Sequence, residues 1–109
     1  MQVRWLKRAL QNLADEAAYI ALDNPKAAHE CVSRILKSAE QLGQQPNMGR
    51  AGRVFGTREL VISHYPYILP YRIKGDVVQV LRVFHTSRKW PTQFSHKDIP
   101  AHDSQAKLK

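Results

Sequence analysis

Residues 81–91 read LRVFHTSRKWP, a β-like run that closes on a histidine and then on Arg88, Lys89 and Trp90. His85 is the only side chain of this cluster whose ordinary pKa lies near neutrality. Upstream, Arg58, Arg72 and Arg82 sit in three strand-like runs. Scission of an RNA backbone requires a base for the 2′-hydroxyl, an acid for the leaving oxygen, and positive charge around the phosphorane-like transition state. His85 with Arg58, Arg72 and Arg82 meets those demands without a metal. The same histidine also fits a half-buried ring hydrogen-bonded at a strand end, and the residues alone leave both readings open.

Other constellations are weaker. His29, His64, His96 and His102 lack metal-ligand spacing with one another, and no HExxH, paired-carboxylate or Ser–His pattern occurs. Neither a metal nor an organic cofactor is expected. Gly49, Gly52 and Gly56 in GRAGRVFG resemble a phosphate-cradling loop only loosely, because no helical pattern follows them. That stretch reads as a flexible basic loop, with Arg50 and Arg53 near the mouth of the cleft. Trp90, Tyr65, Tyr67 and Phe94 are candidate stacking faces for unpaired bases.

The elements that must position these groups follow from the hydrophobic pattern. QVRW at 2–5 is a short strand. From Leu6, the apolar positions Leu6, Ala9, Leu10, Leu13, Ala17 and Ile20 recur in steps of three and four, an amphipathic helix that ends near Leu22. Asn24 is a good N-cap and Pro25 suits the first turn of a second helix. That helix carries Ala28, Val32, Ile35, Ala39 and Leu42 on one stripe and is expected to stop at Gly43 as a left-handed cap. The short link makes the two helices an antiparallel hairpin.

Three strand-like runs follow: TRELVIS (57–63), YILPYRI (67–73) and VVQVLRVFH (77–85). Tyr65-Pro66 and Lys74-Gly75-Asp76 mark the turns, so the runs form an antiparallel meander. Pro70 lacks a ladder donor and calls for an edge position or a bulge. The expected fold is α+β, a helical hairpin packed on a small antiparallel β-sheet in the order β-α-α-β-β-β. Period-two alternation predicts that Leu81 and Val83 face the helices while Arg72 and Arg82 face away, with Arg58 at the rim.

The chain of 109 residues is one domain, taken as 1–94, followed by a polar tail over 95–109 that is expected to fray. The formal charge is +8. Between Arg50 and Trp90 eight Lys/Arg face two acids, a net +6, so the charge sits in the second half and points to a polyanionic partner. The one cysteine, Cys31, lies in a helical apolar pattern and reads as a buried, inert thiol. Charges interrupt MQVRWLKRAL, and no stretch approaches the roughly 18 apolar residues of a membrane span. A cytoplasmic protein with no membrane association is expected.

The run GRVFGTRELVISHYPYILPYRIKGDVVQVLRVFHTSRKWP, with DNPKAA opening the second helix, resembles the RelE/ParE superfamily of toxins from bacterial type II toxin–antitoxin systems. The likeness spans about residues 2–91 and is most specific in GTRELV, YPYI..YR and VLRVFH..R.WP. It implies a helical hairpin against an antiparallel sheet and a cognate antitoxin that wraps and neutralises the toxin. RelE-like members are ribosome-dependent mRNA endonucleases. Matched onto this chain, their machinery would be Arg58, Arg72, Arg82 and His85, with Arg50 and Arg53 on phosphates; Arg88, Lys89 and Trp90, read from the residues themselves, are further nucleic-acid-binding candidates after the last strand. ParE-like members instead inhibit DNA gyrase and need no catalytic constellation. His85 beside arginines at one sheet end tilts the sequence reading toward ribosome and mRNA. Gyrase inhibition is the alternative, and a non-toxic nucleic-acid-binding module a third.

Overall fold

The computed structural model describes residues 1–87. Along the chain run β1 (Gln2–Trp5), α1 (Lys7–Ala21), α2 (Pro25–Gln41), β2 (Arg50–Ala51), β3 (Arg58–Val61), β4 (Tyr67–Lys74), β5 (Val77–Val80) and β6 (Phe84–His85). The two helices cover one face of a sheet ordered β1-β5-β4-β3-β2, with β6 pairing β4 beyond the end of β5. Strands β3, β4 and β5 form the antiparallel meander, and β1 joins β5 in parallel, from Gln2↔Val77 to Trp5↔Val80. The sheet is therefore mixed.

The helices form where the apolar periodicity predicts them. In α2 the Asn24 side chain accepts from the Ala27 N–H at 3.1 Å, with Pro25 in the first turn. Ala28, Cys31, Ile35, Ala39 and Leu42 form its buried stripe. In α1 the stripe is Ala9, Leu13 and Glu16, with Ile20 packed beside it, and Leu10 stays 49% exposed. The helix thus buries an acid where its pattern offered a leucine. Against both helices pack Leu60 and Ile62, then Tyr67, Leu69 and Tyr71 of β4, and Val78, Val80 and Val83.

Gly43 does not adopt the left-handed cap that the sequence suggests, since the positive-φ glycines are Gly56 and Gly75. Its requirement is close approach: a Cβ there would lie 2.6 Å from the Met1 carbonyl oxygen, and the Met1 amine donates to the Gly43 carbonyl at 2.8 Å. Gly75 (φ 62°) opens the two-residue turn between the paired residues Lys74 and Val77, the first-position glycine that a type II′ hairpin demands.

The predicted strand 77–85 is not continuous. Tyr71 pairs with Val80 and Ile68 with Phe84, so Leu69 and Pro70 on one side oppose Leu81, Arg82 and Val83 on the other. This is a β-bulge. Pro70 lies mid-sheet, and the bulge resolves its missing donor. Its carbonyl accepts from the Leu81 N–H at 2.8 Å, so its nitrogen, pointing to the same side, faces the distorted segment rather than a regular ladder. The bulge also slips the alternation, so that Val78 and Val80 share the helix-side cluster with Val83, while Leu81, fully buried as well, lies outside that cluster.

Candidate functional site

The bulge redirects Arg82. Its Nε donates to Asn12 Oδ1 on α1 at 2.8 Å, and its guanidinium carbon lies 5.0 Å from the centre of the Phe84 ring. Its guanidinium therefore bridges Phe84 and the first helix, whereas strict alternation put it wholly on the sheet face away from the helices. The same Asn12 oxygen accepts the Val83 N–H at 3.1 Å, so one side chain serves a main-chain donor that the bulge frees.

Arg58 pairs with Tyr71, and residues paired across strands share a face. It therefore lies on the helix side of the sheet, where its Nη1 donates to the carbonyls of Gly49 (2.8 Å) and Asn47 (3.2 Å). Next to it the Tyr71 hydroxyl donates to the Pro46 carbonyl at 2.7 Å and accepts the Gly49 N–H at 2.9 Å. Together they pin segment 46–50 onto the sheet. Burial pushes the Tyr71 phenol above its ordinary pKa, against the opposing pull of the Gly49 N–H and the Arg58 charge.

Arg72 alternates with Tyr71 and faces away from the helices, as predicted, with its Nε donating to Gln79 Oε1 at 2.7 Å. His85 pairs with Tyr67 on the helix side. Its ring meets the Tyr67 ring edge-on, centroids 5.2 Å apart. Its Nδ1 accepts the Ser87 N–H at 3.2 Å, with the Ser87 hydroxyl 2.8 Å away. In the neutral ring that acceptor role places the proton on Nε2.

The four catalytic candidates are thus not one cluster. Arg72 is on one face while Arg58 and His85 are on the other. Arg58 and His85 pair with β4 positions four residues apart, roughly 13 Å at strand rise. Arg88, Lys89 and Trp90, and the stacking candidate Phe94, lie outside the described residues. Tyr67 offers no stacking face: it is 3% exposed and its hydroxyl donates to Glu16 at 2.9 Å. Tyr65 packs half-buried against the core.

Residues 50–58 are a hairpin rather than a loose loop, with Arg50↔Glu59 and Ala51↔Arg58 paired. Glu59, 3% exposed, organises it. Oε1 accepts from Arg50 Nη2 and Nε at 3.1 and 3.2 Å, and Oε2 accepts the Arg53 N–H at 3.0 Å. Sequence reasoning passed over Glu59, although it is the only acid between Arg50 and Arg72. It also missed Asn12, Glu16 and the fully exposed Phe55.

Two of the concavities among the described residues border the helices. One is an apolar cleft of about 290 Å³ where Glu16, Cys31, Tyr67 and His85 meet between the hairpin and the sheet end. Burial, and secondarily the Glu16 carboxylate, push the Cys31 thiol above its ordinary value. The other is a groove of about 740 Å³ between α2 and β3, walled by His29, Arg34 and Lys37 and by Leu60, Val61 and Ser63. Among the described residues no strand pairs Leu60 or Val61 on the groove side. Also among the described residues, no helix is long and apolar enough to cross a membrane.

Residues 3–90 match the family model described as the ParE toxin of the type II toxin–antitoxin system parDE. The chain is 46% identical over 90 residues to Y4kP of Sinorhizobium fredii, covering 83% of this chain and 93% of that protein. It is 33% identical over 87 residues to the toxin RelE2 of Caulobacter vibrioides, covering 80% and 97%. A solved chain of the chromosomal ParDE toxin–antitoxin system from P. aeruginosa superposes with a TM-score of 0.73 at 29% identity, covering 80% of this chain and 97% of that one.

Proposed function

Because this chain belongs to the ParE toxin family of type II toxin–antitoxin systems, we propose that it arrests growth by binding DNA gyrase rather than by cleaving message. One observation carries the choice: Arg58 and Arg72 share a concavity at the foot of the 50–58 hairpin, whereas neither Arg82 nor His85 lines it, and all four are engaged within the fold. General acid–base scission requires a base, an acid and a charge clamp converging on one phosphate. Arg58 pins a loop, Arg82 anchors a bulge, and the Nδ1 of His85 is occupied by Ser87. A binding inhibitor needs no such convergence, only a stiff cationic scaffold. Family membership also disfavours the reading as a harmless nucleic-acid-binding module.

The cognate antitoxin implied by membership fits the groove between α2 and β3. An extended acidic segment there would meet Arg34 and Lys37 on one wall and the open main-chain edge of Leu60 and Val61 on the other.

Two readouts after induction without antitoxin test the target. Purified toxin is expected to block gyrase supercoiling, while primer extension on a translated message shows no cuts. Translation-dependent cuts with supercoiling intact would reverse the assignment.

A further inference from the structure

The hairpin 50–58 is built with more care than an idle loop requires. Gly52 N–H donates to the Thr57 carbonyl at 2.9 Å, and Thr57 donates its hydroxyl to the Val54 carbonyl at 2.6 Å and its N–H to the same oxygen at 3.1 Å. Gly56 turns the tip with φ 85°. Glu59 draws in Arg50 and the Arg53 main chain from below. What this bracing presents to solvent is Phe55, with its side chain fully exposed at 102%.

A single exposed apolar side chain is common and needs no explanation. The surroundings of Phe55 are what set it apart. Residues 50–58 hold three arginines and no acid. The nearest acid in sequence, Glu59, is buried beneath Arg50 and Arg53 and adds little negative surface. At the foot of the hairpin a concavity of about 290 Å³ is lined by Thr57, Arg58, Arg72 and Ile73 among others. That is room for a phosphate group with part of its hydration, a water occupying about 30 Å³ in the liquid.

We propose that this hairpin is a nucleic-acid contact, with Phe55 stacking on an unpaired or unstacked base and Arg50, Arg53, Arg58 and Arg72 taking the flanking phosphates. A flat ring on a rigid support inside a cationic field matches the two features every strand repeats, a base face and a phosphate. An acidic protein would satisfy the arginines, but it would need a shaped pocket for the ring. The contact is a property of the chain alone and goes beyond the gyrase reading, since it needs neither gyrase nor antitoxin.

The test is fluorescence anisotropy of a short labelled single strand titrated with the full chain, without gyrase. Wild type is expected to bind, with affinity falling steeply between about 50 and 200 mM salt. Phe55→Ala should weaken binding about 5- to 150-fold, the worth of one stacked base. Phe55→Leu should lose nearly as much, and Phe55→Trp should bind as well or better. Because the ring touches solvent only, circular dichroism of all three variants should match wild type. Absence of binding by wild type, an unchanged Phe55→Ala, or a Phe55→Leu as tight as wild type would overturn the proposal. The last outcome would mark an apolar plug for a protein pocket. Supercoiling inhibition by the same preparations is scored separately, so either reading can fail while the other stands.

Discussion

Arg82 on the strand side and Asn12 on α1 are joined by a 2.8 Å hydrogen bond, and the same Asn12 oxygen takes the Val83 N–H. One amide thereby ties the β-bulge to the first helix, which makes Arg82 part of the fold's construction. Replacing Asn12 by Ala leaves the Val83 donor without this acceptor and is expected to cost about 1–3 kcal/mol. Asn12→Asp keeps the acceptor and should stay near wild type. Arg82→Ala and Asn12→Ala should be non-additive in a double-mutant cycle read by urea unfolding. Additivity would show that the two residues act separately.

Glu59 holds the hairpin from beneath, and removing a buried carboxylate that receives three hydrogen bonds costs more than breaking a surface pair. Glu59→Ala is expected to destabilise the chain by about 2–3 kcal/mol. Amide exchange should accelerate first at Gly52 and Arg53, which close the hairpin. Uniform acceleration across β4 and β5 would mean that Glu59 supports the whole sheet instead.

Tyr71 and Cys31 make stability fall in alkali. Both are neutral acids whose folded pKa is raised by burial, from ordinary values of 10.0 and 9.0. The folded state therefore keeps its protons where the unfolded chain has lost them. Their contribution is complete below the unfolded values and declines as pH climbs through the window above them, beginning near 9 for Cys31 and near 10 for Tyr71. Tyr71→Phe removes the second part of that decline. It also leaves the buried Gly49 N–H without its 2.9 Å acceptor, which should lower stability at neutral pH by about 1–3 kcal/mol. Urea midpoints between about pH 7 and 11 read both effects.

The helical hairpin was legible because its signals are local: steps of three and four, and an Asn24-Pro25 start. The meander was legible from Gly75 and the alternating runs around it. What escaped depended on register. In VVQVLRVFH every apolar residue suits a strand in either phase, so a one-residue bulge is invisible there, and the phase decides where Arg82 points. Pro70 carried the missing clue, since its absent N–H required an irregularity, but that irregularity sits in the strand facing it. Arg58 shares its parity with Leu60 and Ile62, so its face was legible in TRELVIS; what no local pattern records is the pairing with Tyr71 that sets it beside segment 46–50. Glu59 was hidden because an acid in a strand ordinarily marks the wet face, and here two arginines cover it.

Charge reversal tests the groove. Arg34 and Lys37 are exposed on α2 and line the space above β3. Arg34→Glu with Lys37→Glu should leave the unfolding midpoint within about 0.5 kcal/mol of wild type. Affinity for the antitoxin is expected to drop at least about tenfold, so cells expressing both proteins would arrest. If neutralisation survives, the antitoxin engages another surface.

His85 separates the two mechanisms most directly. Its Nδ1 receives Ser87, and its ring rests edge-on against Tyr67, whose hydroxyl is spent on Glu16. A histidine held this way braces the end of the sheet. His85→Gln can keep an acceptor near Ser87 but cannot exchange protons near neutrality, so any proton-transfer step that relies on His85 would fall about 100- to 10,000-fold. Under gyrase binding, growth arrest and supercoiling inhibition are expected to persist within a fewfold of wild type, with some loss of stability from the lost ring contact. If arrest vanishes while the variant stays folded and still binds antitoxin, His85 returns as a catalytic candidate, and message cleavage becomes the mechanism to pursue.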